Sequence, residues 1–369
     1  MRIRKAIVSV LLSGSLAPLA AQPAPLRWVE LPSPHLEVKG LPWYNENGGE
    51  LFRLPARLKD TVRAPVWNLA RSPSGGRIRF RSDSTALAIR LEYPSPPDMR
   101  NMHAFGQTGV DLYADGVYRG TAIADKDATP GKVYEHSYCN APEGPRVERE
   151  ITLYLPLYKP VKVLAVGVDK EAQLRPAKPF VLSKPIVFYG TSITQGGCAS
   201  RSGMSYQAIL GRMLNVDFVN LGFSGNGLGE PEMARAVAEI DAVCLVLDFA
   251  QNNPTIESLE QAYGPFLETV RAKHPETPIL AITPIYSARE SWLLVEQRLE
   301  GMRGHIRQVV SRRIAAGDRR LQLVEGTDLL GPSQGDGLVD GTHPNDLGFQ
   351  RMAEGLAARL AKFLRLAPK

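Results

Sequence analysis

Along the first half of the chain, apolar and polar positions alternate with a period of two. Leu87, Ile89, Leu91 and Tyr93 are spaced by Ala88, Arg90 and Glu92; Ile151, Leu153, Leu155 and Leu157 repeat the alternation, and Ile78 with Phe80 is a shorter instance. Successive side chains of a strand point to opposite faces, so this spacing predicts half-buried β-strands. Breaks rich in glycine and proline, Ser72-Pro73-Ser74-Gly75-Gly76 and Ala141-Pro142-Glu143-Gly144-Pro145, separate the runs. Short strands, frequent turns and almost no helical period over residues 22–177 predict an all-β sandwich of jelly-roll type. Arg175-Pro176-Ala177-Lys178-Pro179 and then Pro185 change the texture, and residues 178–185 read as a linker.

From Ile186 the pattern is different. Unbroken apolar runs replace the alternation, as expected of parallel strands buried on both faces. They fall at Ile186–Tyr189, Asp217–Leu221, Ala242–Leu247, Ile279–Thr283 and Leu321–Val324. Between them lie stretches of helical period: Tyr206–Leu214, Pro231–Ala238, Ile256–Lys273 and Leu293–Ala316. A last helix begins near Asn345 and carries Phe349, Met352, Leu356, Leu360 and Phe363 on one face. Alternating β and α predicts a three-layer α/β/α domain over residues 186–369.

The first of these strands runs into Gly190-Thr191-Ser192-Ile193-Thr194-Gln195-Gly196-Gly197. A strand, a tight turn and a helix present a side chain at the carboxyl end of the sheet, where ligands of open α/β folds collect. Ser192 stands at that position. This stretch alone fits a nucleophile as well as it fits a helix N-cap or a phosphate-cradling loop. A nucleophilic serine needs a base, and Asp340-Gly341-Thr342-His343-Pro344 offers His343 with Asp340 three residues before it to hold Nδ1. Asp and His before a proline are also ordinary turn residues. Donors for an oxyanion are available at the backbone of Ser192, in the glycine-rich Asn220-Leu221-Gly222-Phe223-Ser224-Gly225-Asn226-Gly227, and in the amides of Leu247-Asp248-Phe249-Ala250-Gln251-Asn252-Asn253-Pro254. A metal centre would need further ligands at ligand spacing beside His343, and none is in the sequence.

Taken together these blocks, Gly190-Thr191-Ser192-Ile193, Gly225, Asn252 and Asp340-Gly341-Thr342-His343, resemble the four blocks of the SGNH hydrolases, also called GDSL esterases and lipases. Upstream, Gly109-Val110-Asp111-Leu112-Tyr113 resembles the GxDLY segment of the β domain that precedes one SGNH subgroup, and Thr194–Arg201 is similar to that same subgroup. The resemblance implies a flavodoxin-like catalytic domain with Ser192 as nucleophile, His343 as general base and acid, and Asp340 as its orienter. It also implies an oxyanion hole of Ser192 N–H, Gly225 N–H and the Asn252 side chain. Thr191 replaces the Asp of Gly-Asp-Ser. The third block departs from Gly-x-Asn-Asp and leaves Asn252 and Asn253 as alternatives, of which distance from the strand end favours Asn252. Such acyl transfer needs no metal or organic cofactor.

Three features bear on the substrate. Residues 1–21, with Arg2, Arg4 and Lys5 before the apolar Ala6–Ala17, read as a signal peptide, so export to the periplasm or medium is expected. A β-sandwich precedes the catalytic domain, and no long amphipathic lid is visible. These favour acetyl or other small acyl esters of carbohydrate. Lipid, lysophospholipid or aryl esters, or an inactive carbohydrate-binding protein, are the alternatives. Trp43, Tyr44 and Trp67 are candidates either for stacking on sugar or for packing. The formal charge of +6 falls to +3 without the three basic residues of the leader, and no dense Lys/Arg run suggests a nucleic-acid partner or stable membrane insertion. The three cysteines, Cys139, Cys198 and Cys244, cannot all pair within the chain; Cys244 reads as core, and Cys198 follows Ser192 closely.

Overall fold

The computed structural model describes residues 25–141, 144–291 and 295–366; the expected leader lies outside them. The first half forms two antiparallel sheets. Its strands are β1 (Leu26–Glu30), β2 (Glu37–Lys39), β3 (Arg77–Ser82), β4 (Ala86–Glu92), β5 (Val110–Ala114), β6 (Val117–Ala122), β7 (Val133–Asn140), β8 (Arg149–Tyr154), β9 (Lys162–Asp169) and β10 (Leu174–Arg175). One sheet runs β1-β9-β4-β7, the other β10-β3-β8-β5-β6 with β2 beside β3. The alternating residues of the sequence meet between them: Ile78, Phe80, Leu87, Ile89, Leu91, Ile151 and Leu153 share one buried cluster.

The second half holds five parallel strands: β11 (Ile186–Gly190), β12 (Phe218–Gly222), β13 (Cys244–Asp248), β14 (Ile279–Ile282) and β15 (Leu321–Val324), in the order β12-β11-β13-β14-β15. Strand order reverses at β11, so the switch-point crevice opens beyond its carboxyl end. Every residue of β11 is buried because both faces are covered. Ile186 and Phe188 pack with the helices Tyr206–Leu214 and Asp346–Phe363, while Val187 and Tyr189 pack with Pro231–Glu239, Ile256–Lys273 and Val295–Ala315. Strand and helix positions agree with those expected, with ends shifted by one or two residues; Leu293, the expected start of the helix ending near Ala316, lies outside the described residues. Among the described residues no helix is long and apolar enough to cross a membrane.

Two segments depart from the expectation of an all-β first half: a short helix at Ala104–Thr108, and a longer stretch before β3. In the latter, Trp43 and residues 52–70 turn away from the sandwich and lie on the parallel sheet, where Trp43, Leu54, Val66, Trp67 and Ala70 join the cluster of Val187, Leu221 and Phe223, while Tyr44 and Leu51 stay with the sandwich. A helix, Ala64–Ala70, forms there with proline in its first turn. Trp43 and Trp67 are buried in this contact, so packing accounts for both.

The same segment covers an edge. Strand β12 ends the sheet, and an edge strand leaves every second carbonyl without a partner. The buried Arg53 donates to Asn220 O (3.3 Å) and to Gly222 O, while Arg77 donates to Phe218 O (2.9 Å). Three alternate carbonyls of the edge are thereby satisfied by two arginines from the first half. Arg53 also donates to Ser72 O and Leu69 O, each at 2.8 Å. Burial pulls its guanidinium down to about 9, which leaves it charged at neutral pH.

Candidate active site

The turn after β11 is built to hold Ser192 at a fixed point. Gly190 lies in register with Asp248, and a Cβ on it would come within 2.4 Å of Asp248 O and 2.0 Å of Thr194 Oγ1, so only glycine fits. Thr191 caps the short helix Ser192–Gln195, accepting from Ile193 N–H at 3.3 Å. Beneath it, the Asp248 carboxylate accepts from Thr194 Oγ1 and Tyr206 OH, each at 2.9 Å. Burial pushes this carboxyl up to about 6 against the opposing pull of those two donors.

His343 reaches the same point from the far end of the chain. An isolated bridge between Leu338 and Pro344 closes its loop, and Asn345 caps the following helix through Gly348 N–H. His343 Nε2 lies 2.9 Å from Ser192 Oγ across 151 residues of sequence. Its Nδ1 lies 2.9 Å from Asp340 Oδ2, and the carboxylate also accepts the backbone N–H of His343 (2.9 Å) and of Thr342 (3.1 Å) at Oδ1. Partial burial raises the Asp340 carboxyl, but the donors from His343 and Asn101 outweigh it and hold the group well below the usual carboxylate range.

Ser192, Gly225, Asn252 and His343 line one cleft of about 340 Å³, with Ile193, Ser224, Ile285, Ser287, Arg289 and Leu299 among its other walls. Ser192 N–H is the first of a helix and has no intrahelical acceptor. Gly225 sits at φ +66°, where a side chain is strained, and the turn bonds around it run from Asn226 and Gly227 to Phe223 O, leaving its own N–H outside them. Gly227 N–H donates to Asn252 Oδ1 at 3.2 Å, which leaves the Asn252 NH2 for the cleft. Arg298 donates to Gln251 O (3.3 Å) and Asn253 O (2.7 Å) and so grips the loop on both sides of Asn252. Asn253 is buried, off the cleft wall, and its amide nitrogen has no partner. A larger cleft of about 690 Å³, walled by Trp28, Tyr44 and Arg90, lies on the sandwich and contains none of these groups.

Two groups near the site, Asn101 and Tyr158, carried no sequence signal. Asn101 donates to Asp340 Oδ2 at 2.9 Å. Tyr158 OH donates to Ser192 O at 3.4 Å, and Gln195 joins Leu157 O to Ser224 N–H, tying the sandwich to the turn before Gly225. Cys198 packs beside the pair: its sulfur, Asp340 and His343 bring one donor atom each within 4.8 Å of one another. That trio is poorly disposed to hold a metal, since Asp340 and His343 are bonded to each other and burial, with Asp340 nearby, pushes the Cys198 thiol up to about 12. All three cysteines are free, and Cys244 is core. The two motifs that pointed to one subgroup touch. Asp111 accepts from Arg201 Nη1 (3.0 Å) and Gly203 N–H (2.8 Å), and the same Arg201 nitrogen donates to Tyr113 OH at 2.6 Å, so the DLY strand anchors the loop that follows the nucleophile turn.

Comparisons with known proteins agree with this architecture. The model of the GDSL-like lipase/acylhydrolase family matches residues 183–361, and that of the N-terminus of SGNH-hydrolase-type esterases matches residues 26–174. The structure is similar to a protein of Bacteroides ovatus described as a GDSL-like lipase, with 31% identity, 94% of this chain and 100% of that chain covered, and a TM-score of 0.83. It also shares its fold with the salicylyl-acyltransferase SsfX3 from a tetracycline biosynthetic pathway (22% identity, 92% and 98% covered, TM-score 0.77). A family two carbohydrate esterase from Clostridium thermocellum, solved with cellohexaose, is a third (18% identity, 79% and 93% covered, TM-score 0.60). No curated protein matches the sequence. Fold, family models and the Bacteroides relative lead to one conclusion: the chain belongs to the GDSL-like lipase/acylhydrolase family, the SGNH carboxylic ester hydrolases, in the group with an N-terminal GxDLY β domain.

Proposed function

We propose that the protein is an exported serine esterase that removes acetyl or other small acyl groups from carbohydrate. In this reading residues 22–177 are the accessory β domain, 178–185 the linker and 186–369 the catalytic domain. The observation that carries it is the 2.9 Å approach of Ser192 Oγ to His343 Nε2. Ser192 attacks the ester carbonyl as His343 Nε2 takes its proton, and Asp340 at Nδ1 holds the tautomer and stabilises the imidazolium. The oxyanion rests on Ser192 N–H, Gly225 N–H and Asn252 Nδ2. His343 then protonates the leaving alcohol, and water, deprotonated by the same imidazole, releases the acid.

A cleft of about 340 Å³ is at the small end for ligand sites and suits a short acyl chain. Ser224 and Gln251 on its walls are polar groups able to meet a hydroxyl of the alcohol. The acetyl xylan esterase of Butyrivibrio proteoclasticus shares the fold, so the architecture accommodates esters of sugars. A fluorophosphonate is expected to label the protein at Ser192 and to leave Ser192→Ala unmodified, and acetylated oligosaccharides to be turned over faster than long-chain p-nitrophenyl esters. Equal turnover by Ser192→Ala would sink the catalytic assignment. Rates rising with chain length would move the substrate to lipid, and sugar binding without labelling would make the protein a binding module.

A further inference from the structure

Asp340 does not face His343 alone. The oxygen that meets His343 Nδ1 also accepts from Asn101 Nδ2 at 2.9 Å, and Asn101 lies 239 residues upstream in the β half of the molecule. We propose that Asn101 is a positioning residue that orients Asp340 and shares its charge, so that the β half completes the site.

The loop bearing Asn101 is built for this. Gln107 is buried, and its Oε1 accepts from Asp98 N–H (2.8 Å) and Met99 N–H (2.9 Å) while its Nε2 donates to Met99 O (3.2 Å) and Met102 O (2.7 Å). The whole hydrogen-bonding capacity of that amide is spent on residues flanking Asn101. The Gln107 carbonyl in turn accepts from Tyr158 N–H and Lys159 N–H, which ties the loop to the segment that carries the Tyr158 contact with the nucleophile turn. Met102 is buried in the cluster that contains Ile193 and Phe349, and Lys159 pairs with Asp98 at 2.7 Å. An exposed asparagine held in this way donates without first losing the freedom of a mobile loop.

The chemistry gives the bond a direction. Two backbone donors and a longer 3.2 Å approach of His343 Nδ1 meet Asp340 Oδ1, while Oδ2 takes the shorter His343 contact and Asn101. A neutral donor at Oδ2 draws off part of the charge that the imidazolium would otherwise feel. Without Asn101 the carboxylate holds the His343 proton more tightly, and the ring loses a partner that fixes its acceptor. Titratable or charged groups near the pair include Cys198 beside it, Tyr158 at the nucleophile turn, Arg289 and Arg298 on the cleft wall, and the Asp98–Lys159 pair on the Asn101 loop.

This inference rests on the reading of Ser192, His343 and Asp340 as the catalytic groups. Its test is the pH dependence of kcat/KM for p-nitrophenyl acetate in the full chain, with Asn101→Ala, Asn101→Asp and Ser192→Ala compared with wild type. Asn101→Ala is expected to lower kcat on the order of tenfold with little change in KM, the loss of one hydrogen bond to a charged group. Its acid limb moves to higher pH. Asn101→Asp, nearly isosteric and on the surface, places a like charge beside Asp340 and moves the limb up by about one pH unit. A wild-type limb in Asn101→Asp overturns the inference if Ser192→Ala is inactive, even where the alanine variant fails to fold. If Ser192→Ala is as active as wild type, the reading beneath it fails instead.

Discussion

Replacing Asn252 with alanine separates an oxyanion donor from a merely structural loop residue. Within the loop the Asn252 side chain accepts one hydrogen bond, from Gly227 N–H at 3.2 Å, and that bond turns its NH2 towards the cleft it lines with Ser192 and Gly225. Removing one oxyanion donor costs about 3–4 kcal/mol of barrier, a loss of roughly 10²–10³ in kcat. The bond to Gly227 is neutral and contributes only about 1 kcal/mol of stability. Steady-state kinetics on p-nitrophenyl acetate should therefore show a large fall in kcat, a KM close to wild type and a small drop in melting temperature. Two further variants fix the interpretation. Asn252→Asp keeps the acceptor for Gly227 but sets a negative charge where the oxyanion forms, so kcat falls at least as far while stability changes less. Asn253→Ala alters a buried amide off the cleft wall, and kcat should stay within about threefold of wild type. The reasoning is refuted if Asn252→Ala keeps activity within threefold of wild type, or if Asn253→Ala loses more than Asn252→Ala.

Arg53→Met removes four donors from carbonyls at a covered sheet edge, and unsatisfied buried acceptors cost about 1–3 kcal/mol each before water relieves them, so a net loss on the order of 4 kcal/mol is expected in urea unfolding. Arg53→Lys should recover little of it, because an ammonium cannot span the same fork of carbonyls; recovery to wild type by lysine would count against the edge-capping role. Asp248, pushed up to about 6, titrates higher folded than unfolded, so its favourable contribution is present below about pH 4 and is lost as pH rises through about 6. Asp248→Asn should lack that decline, and parallel pH–stability curves for the two proteins would contradict the assignment.

Much of the candidate site was readable because its residues stand beside strong local signals. Ser192 follows a buried strand and a glycine, and His343 precedes a proline and a helix whose apolar face repeats from Phe349 to Leu360. Asn101 stands in a loop of no periodicity, and its partner is 239 residues away. Arg53 looks like any surface arginine until the carbonyls of β12 are seen against it. Trp43 and Trp67 were open between sugar and packing because an aromatic side chain has the same composition signature in either place; their burial against the parallel sheet decides it.

Local periodicity and turn chemistry by themselves determined the two sheet types and the order of strands and helices along the chain, since period two, unbroken apolar runs and glycine turns are each dictated by neighbouring residues, and the resemblance to the SGNH blocks marked the candidate site. Tertiary structure alone decided how the DLY strand grips Arg201, and that Trp43, residues 52–70 and Asn101 of the first half contact the second. Those outcomes depend on pairings between distant segments, whose enthalpy appears only once the chain has closed the loop between them and which therefore leave no local pattern to read.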